Sequence, residues 1–189
     1  MKKIHDDIIK ANDVLKDGGI IIYPTDTVWG IGCDATVSLA VNAVIKLKQN
    51  RGNRGFIVLM DSVKMVENYF TVLPERTKQV LLDQHPTTVI IQNPVGLPKS
   101  VLGPDGSLAV RIPKDPICLQ LIRGLEKPLL STSANFSGKQ VPDQFSEISL
   151  ELLKGVDYVI KLPQRNKLGL APSRLVVVSE KGELKILRN

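Results

Sequence analysis

Two short runs of hydroxyl and amide side chains are the groups in this chain best suited to chemistry. Thr25-Asp26-Thr27 follows the apolar run Ile20-Ile21-Ile22-Tyr23 and its stop at Pro24, and Ser131-Thr132-Ser133-Ala134-Asn135 follows Leu129-Leu130. Hydroxyls and amides donate and accept hydrogen bonds without carrying charge, which suits them to holding a polar or anionic ligand. Each run also has a plainer reading, the first as a turn closed by its own hydroxyl or carboxylate, the second as a helix N-cap. Arg111 is the third candidate. It sits inside the apolar run Leu108–Ile112, where a charge is costly unless paired. Its partner is either a carboxylate of the chain itself or the carboxylate or phosphate of a ligand, both of which a guanidinium fork matches.

Other chemistries are poorly supplied. The only histidines are His5 and His85, and Cys33 and Cys118 form neither a disulfide framework nor a zinc spacing. There is no Walker loop, and Gly30-Ile31-Gly32 is too short for a dinucleotide fingerprint. Charge is more telling. The 189 residues carry a net charge of +6, and the cations are clustered. Between Ala35 and Met60 no acidic residue accompanies Lys46, Lys48, Arg51 and Arg54, and between Tyr158 and Ser179 none accompanies Lys161, Arg165, Lys167 and Arg174. Two acid-free windows beside polar loops point to an anionic partner, a nucleotide first and a nucleic-acid backbone as the alternative, though a solvated basic face is the bland reading.

These groups need a scaffold. Ile8, Ala11, Val14 and Leu15 recur at helical spacing before Gly18-Gly19, Ser38–Lys48 reads as a helix capped by Ser38, and further helices are expected at Val63–Tyr69, Pro74–Leu82 and Pro116–Leu125. Strands are expected at Ile20–Tyr23, Phe56–Met60, Thr87–Ile91, Leu108–Ile112, Leu129–Ser131 and Val156–Ile160, with Leu175–Val178 and Leu184–Leu187 joined as a hairpin through Glu180-Lys181-Gly182. The alternation predicts an α/β fold, a twisted mixed sheet of parallel and antiparallel strands with packed helices, in one domain over residues 1–189. Ligands of open α/β sheets sit beyond strand carboxyl ends, so both hydroxyl runs are expected to face one crevice there. Trp29 reads as core or pocket wall, and the polar segment Leu162–Pro172 as the most mobile loop. No apolar run approaches the roughly 18 residues of a membrane span, and the first residues lack a signal-peptide core; a cytoplasmic home with no membrane partner follows.

The run GGIIIYPTDTVWGIGCDA, then LKQN and FIVLM, then SLAVRIP and STSANFSG, resembles the YrdC/TsaC family of threonylcarbamoyl-AMP synthases in order and over nearly the whole chain. The resemblance implies that ATP, L-threonine and bicarbonate, with Mg2+ accompanying the ATP, are condensed to threonylcarbamoyl-AMP and pyrophosphate for the threonylcarbamoyladenosine modification of tRNA. Downstream threonylcarbamoyl transferase proteins are the implied partners, with RNA or tRNA a further candidate. The implied catalytic residues are Lys48, Ser133 and Asn135. Thr25, Thr27, Arg111 and Ser173 are implied for threonine, and Ser107, Asn135 and Arg188 for the nucleotide. The family's Lys-x-Arg element falls on Lys48-Gln49-Asn50, so Asn50, Arg51 and Arg54 are the candidates where an arginine is expected. The Pro-Gly-Pro-x-Thr segment survives only in part as His85-Pro86-Thr87-Thr88, and the late Ser-Thr pair is Ser173-Arg174. An RNA-binding paralogue with lost or altered synthase activity is the alternative. The implied chemistry joins anionic reactants, so it depends on positioning and charge neutralisation, and a carboxylate in the pocket would repel them. Asp26 is therefore expected to orient its turn or to meet the substrate amine.

Overall fold

The computed structural model describes residues 2–49, 56–160, 172–179 and 182–189. Nine strands form one sheet: β1 (Ile21–Tyr23), β2 (Gly30–Asp34), β3 (Ile57–Leu59), β4 (Thr87–Ile91), β5 (Leu108–Arg111), β6 (Leu129–Ser133), β7 (Tyr158–Val159), β8 (Arg174–Val178) and β9 (Leu184–Arg188). Their order across the sheet is β7-β1-β2-β6-β3-β5-β4-β8-β9. The pairs β1–β7, β3–β5 and β4–β8 are parallel and the other five antiparallel. The expected mixed sheet is thus the observed one.

The helices are α1 (Lys2–Lys16), α2 (Ser38–Leu47), α3 (Val63–Glu67), α4 (Glu75–Leu81), α5 (Pro116–Leu125) and α6 (Leu150–Lys154). In α1, Ile8, Ala11 and Leu15 are buried along one stripe, and Gly18 ends the helix in the left-handed region, its N–H bonded to the Leu15 carbonyl. Pro116 occupies the first turn of α5, and Asp115 accepts from the Ile117 and Cys118 amides. Ser38 is not a cap. Val37 holds that position without a side-chain bond, and the preceding turn is closed by Asp34, which accepts from the Thr36 amide and hydroxyl.

Strand alternation sends side chains to two unlike faces. One face carries Ile20, Ile22, Trp29, Ile31, Cys33, Val58, Val89, Val110, Leu130 and Val176, all buried in a single apolar cluster with Val41 and Val44 of α2. Trp29 therefore belongs to this core, tilted against Phe145 at 5.2 Å between ring centroids. On the other face, Ile21, Tyr23, Leu59 and Leu129 pack with residues of α1 and α5. That two-helix layer stops short: Ile57, Ile90, Ala109, Leu175 and Val177 are only half-buried. The uncovered part of this face is where the polar side chains gather. Among the described residues, no helix is long and apolar enough to cross a membrane.

Candidate functional site

The hollow lies over the face of the sheet, not beyond the strand ends as expected. It has a volume of about 190 Å³, with Gly30, Ile57, Leu59 and Ser131 among its lining strand residues, Thr25, Asp26 and Thr27 on one side and Ser173 and Arg188 on another. Two geometric causes place it there. First, the segment between β1 and β2 folds back over the face, bringing Asp26 and Thr27 to Arg111 even though Tyr23 itself pairs with Gly30. Second, Ser131, Thr132 and Ser133 are strand residues paired with Gly32, Ile31 and Gly30, not a loop and not a helix cap.

Nothing in the residue pattern marked β2 as a strand, yet it is central and wholly buried. Its side toward the hollow is glycine. A Cβ at Gly32 would lie 2.9 Å from Tyr23 Cε1 and 2.6 Å from the Leu130 carbonyl, and one at Gly30 would lie 3.3 Å from Tyr23 Cζ. The two missing side chains let the Tyr23 ring lie across β2 and donate its hydroxyl to Ser131 Oγ at 2.8 Å. Alternating glycines beside a run of strand character were the available signal of such a close approach.

The Thr25–Thr27 turn is a closed hydrogen-bond chain. Thr25 Oγ1 accepts from the Thr27 and Val28 amides at 3.0 and 3.1 Å and donates to the Val28 carbonyl at 2.7 Å. Its one proton is thereby committed, and the two hydroxyl oxygens lie 3.0 Å apart. Thr27 Oγ1 in turn accepts from Arg111 Nη1 at 3.2 Å. Thr25 is therefore occupied in shaping the turn, while Thr27 keeps acceptor capacity toward the hollow. Asp26 forms an ion pair with Arg111 Nη2. The expectation that a carboxylate is excluded from the pocket is thus corrected: one lines it, neutralised by a guanidinium whose side chain is 3% exposed. Arg111 Nε has no hydrogen-bond partner among the described residues.

On the opposite wall, Ser173 Oγ meets Thr88 Oγ1 at 2.7 Å, and the Ser173 carbonyl accepts from Arg188 Nη2 at 2.8 Å and Nε at 3.2 Å. Thr88, absent from the expected site, is fully buried and fixes Ser173. At the rim, Ser133 donates to Asn135 Oδ1, and Asn135 Nδ2 donates to the Lys139 carbonyl at 2.6 Å. Lys48, at the end of α2, turns its ammonium into this bend, donating to the Ser133 carbonyl and, at 2.8 Å, to that of Asn135. Burial pulls its pKa down to about 8.

The site thus gathers Thr25, Thr27, Arg111, Ser133, Ser173 and Arg188 around one hollow, with Lys48 and Asn135 at its edge. Ser107 does not line it. That residue precedes β5, its amide and hydroxyl both donating to Asp105 at 3.1 and 2.6 Å. Asn50, Arg51 and Arg54 lie outside the described residues, as do Lys161, Arg165, Lys167, positions 162–171 of the expected mobile loop, and the hairpin residues Glu180 and Lys181. A second hollow of about 430 Å³ adjoins the first across Asp26 and Thr27, with His85, Pro86 and Arg174 on its far side. Arg174 donates there to Asp83 at 2.6 Å and to Thr87 at 3.1 Å. Among the described residues no three His, Cys, Asp or Glu side chains are grouped to hold a metal ion.

Residues 13–189 match the family model Sua5/YciO/YrdC, described as telomere recombination. A threonylcarbamoyl-AMP synthase of Stenotrophomonas maltophilia is 33% identical over 151 residues, 77% of this chain and 81% of that protein. One of Escherichia coli O1:K1 is 34% identical over 137 residues, 70% of this chain and 72% of that protein. Sua5 of P. abyssi complexed with L-threonine superposes with a TM-score of 0.86 at 24% identity, over 96% of this chain and 53% of that one. Full-length HypF in its phosphate- and nucleotide-bound form gives 0.84 at 25% identity, over 96% of this chain and 28% of that one. This chain therefore spans about half the Sua5 chain, and the likeness to it speaks for the fold.

Proposed function

The chain belongs to the Sua5/YciO/YrdC family, and from that premise we propose that it is an L-threonylcarbamoyladenylate synthase, condensing L-threonine, bicarbonate and ATP to threonylcarbamoyl-AMP and pyrophosphate. The observation that carries this reading is the hollow itself, with one buried arginine, a second arginine and a ring of hydroxyls on a face left open by the helices. Relatives named threonylcarbamoyl-AMP synthase support the same class of enzyme.

Threonine amine and bicarbonate give a carbamate, with loss of water. A carbamate oxygen then attacks the α-phosphorus of ATP, and the bond to pyrophosphate breaks. All the groups that meet are anionic, so the protein's work is to orient them and to offset charge. Arg111, Thr27 and Ser173 face the amino acid in this scheme. Among the described residues Lys48 donates to two carbonyls, and its ammonium, with three N–H donors, serves the carbamate or the phosphates beside Ser133 and Asn135. Arg188, and Asn50, Arg51 and Arg54 from the segment beyond α2, serve the nucleotide. Mg2+ arrives on the ATP phosphates as part of the substrate, which needs few protein ligands. The product is a labile acyl-adenylate for a cytoplasmic transferase that modifies tRNA.

Purified protein incubated with ATP, L-threonine, bicarbonate and Mg2+ should release pyrophosphate only when threonine is present, with the adenylate detected alongside. Absence of threonine-dependent pyrophosphate overturns the assignment. Salt-sensitive RNA binding in its place would instead support the RNA-binding paralogue.

A further inference from the structure

Among the described residues Arg111 is the one buried guanidinium to which an amino acid's carboxylate would bind, and Asp26 is paired with its Nη2. The Nε and Nη2 edge of Arg111 is the side on which a carboxylate binds through both oxygens, and its Nε has no hydrogen-bond acceptor among the described residues. Asp26 touches Nη2 as an ion pair, while Thr27 takes Nη1. The two partners are unequal: the Arg111 side chain is 3% exposed and that of Asp26 21%, so Asp26 is the one able to turn away. A ligand carboxylate that took the Nε–Nη2 edge would leave Asp26 in the same hollow, as an anion beside an anion. That arrangement is unfavourable unless the ligand also brings a cation.

We propose that Asp26 is the residue that makes this site specific for α-amino acids over carboxylic acids lacking an ammonium group. Within the protein it is paired with Arg111. An amino acid exchanges that internal pair for two new ones, carboxylate on Arg111 and ammonium on Asp26, with no charge left unpaired. A carboxylic acid evicts Asp26 and gives nothing in return. Rejection of this kind arises because a buried group loses its partner, and it is stronger than shape alone provides. The inference rests on the reading of Arg111 as the amino-acid anchor and adds the basis of selection at that anchor.

The test is calorimetric binding of L-threonine and of its α-hydroxy analogue, in which a hydroxyl replaces the ammonium. The wild-type protein should bind the analogue about 100-fold more weakly. In Asp26→Asn that ratio should fall below about 10-fold, chiefly because the analogue binds more tightly to an arginine no longer occupied. Asp26→Glu should keep the discrimination. Comparable binding of the two ligands by the wild-type protein overturns the proposal without any variant, and so does an undiminished ratio in Asp26→Asn. Failure of the underlying reading looks different: L-threonine would then bind Arg111→Ala as well as wild type, or bind neither.

Discussion

Arg111 and Lys48 are both buried cations at the same hollow, 2% and 3% exposed, and they are stabilised in opposite ways. Arg111 is paired with a carboxylate and a hydroxyl, and a guanidinium is a permanently charged group. Among the described residues, Lys48 donates to the carbonyls of Ser133 and Asn135. Carbonyl dipoles offset part of the cost of burying an ammonium, and the remainder appears as a pKa lowered to about 8. One wall of the site thus has a permanent positive charge that a carboxylate must share, and the rim has one that can be switched off. A residue's type alone does not set its charge in a pocket; its partner does.

The largest effects should come from deleting either cation. Arg111→Ala and Lys48→Ala should each lower kcat/KM for threonine-dependent pyrophosphate release by about 100-fold or more. Arg111→Ala should act mainly through the KM for threonine, and Lys48→Ala mainly through kcat. Steady-state kinetics with threonine varied separates them, and identical signatures would erase the distinction between the two walls.

Next in size is the pH response. If the ammonium form of Lys48 is needed, turnover falls as pH rises through about 8. Lys48→Arg should move that alkaline limb upward, since arginine does not deprotonate in this range. An unmoved limb would assign it to another group.

The same shift sets a stability trend. The folded pKa of Lys48, about 8, lies below the roughly 10.4 of an unfolded lysine, so the cost of its buried charge is fully present below pH 8. Between those values the unfolded state binds more protons, and wild-type stability rises with pH. Urea denaturation should therefore find Lys48→Met more stable than wild type near neutral pH by roughly 1–3 kcal/mol, a gap that closes toward pH 10. The smallest effect belongs to Tyr23→Phe, which touches neither cation. Loss of its bond to Ser131 should cost about 1 kcal/mol by the same denaturation assay and leave the alkaline limb in place.

Much of the scaffold was legible because it obeys local rules. Leu108–Arg111, Thr87–Ile91 and Pro116–Leu125 announce themselves through apolar runs, proline stops and a proline in a first helical turn. Strand β2 escaped because two of its five residues are glycine: Gly30 and Gly32 turn a strand's alternation into apparent loop punctuation. The site was legible as a set of residue types and not as a set of pairs. Arg111 in an apolar strand demanded an anion, but only the fold-back of the β1–β2 segment shows that Asp26, 85 positions earlier, supplies it. Burial of Lys48 likewise depends on Ser133 and Asn135, which meet it at the end of the interior strand β6 and not through helical periodicity.

The strand order has a kinetic meaning. The central strand β6 lies between β2 and β3, roughly 100 and 70 residues away in the chain, and β8 joins β4 from a similar distance. Contacts between such remote segments form late, after large loops have closed. Thr27, Arg111, Ser133 and Ser173 come from four of these segments, so partial assembly of the sheet yields no binding surface. Bound ligand should in turn slow hydrogen exchange across the strands from β1 to β8 together, not in the pocket loops alone, because the assembled sheet is what brings the residues of the hollow together.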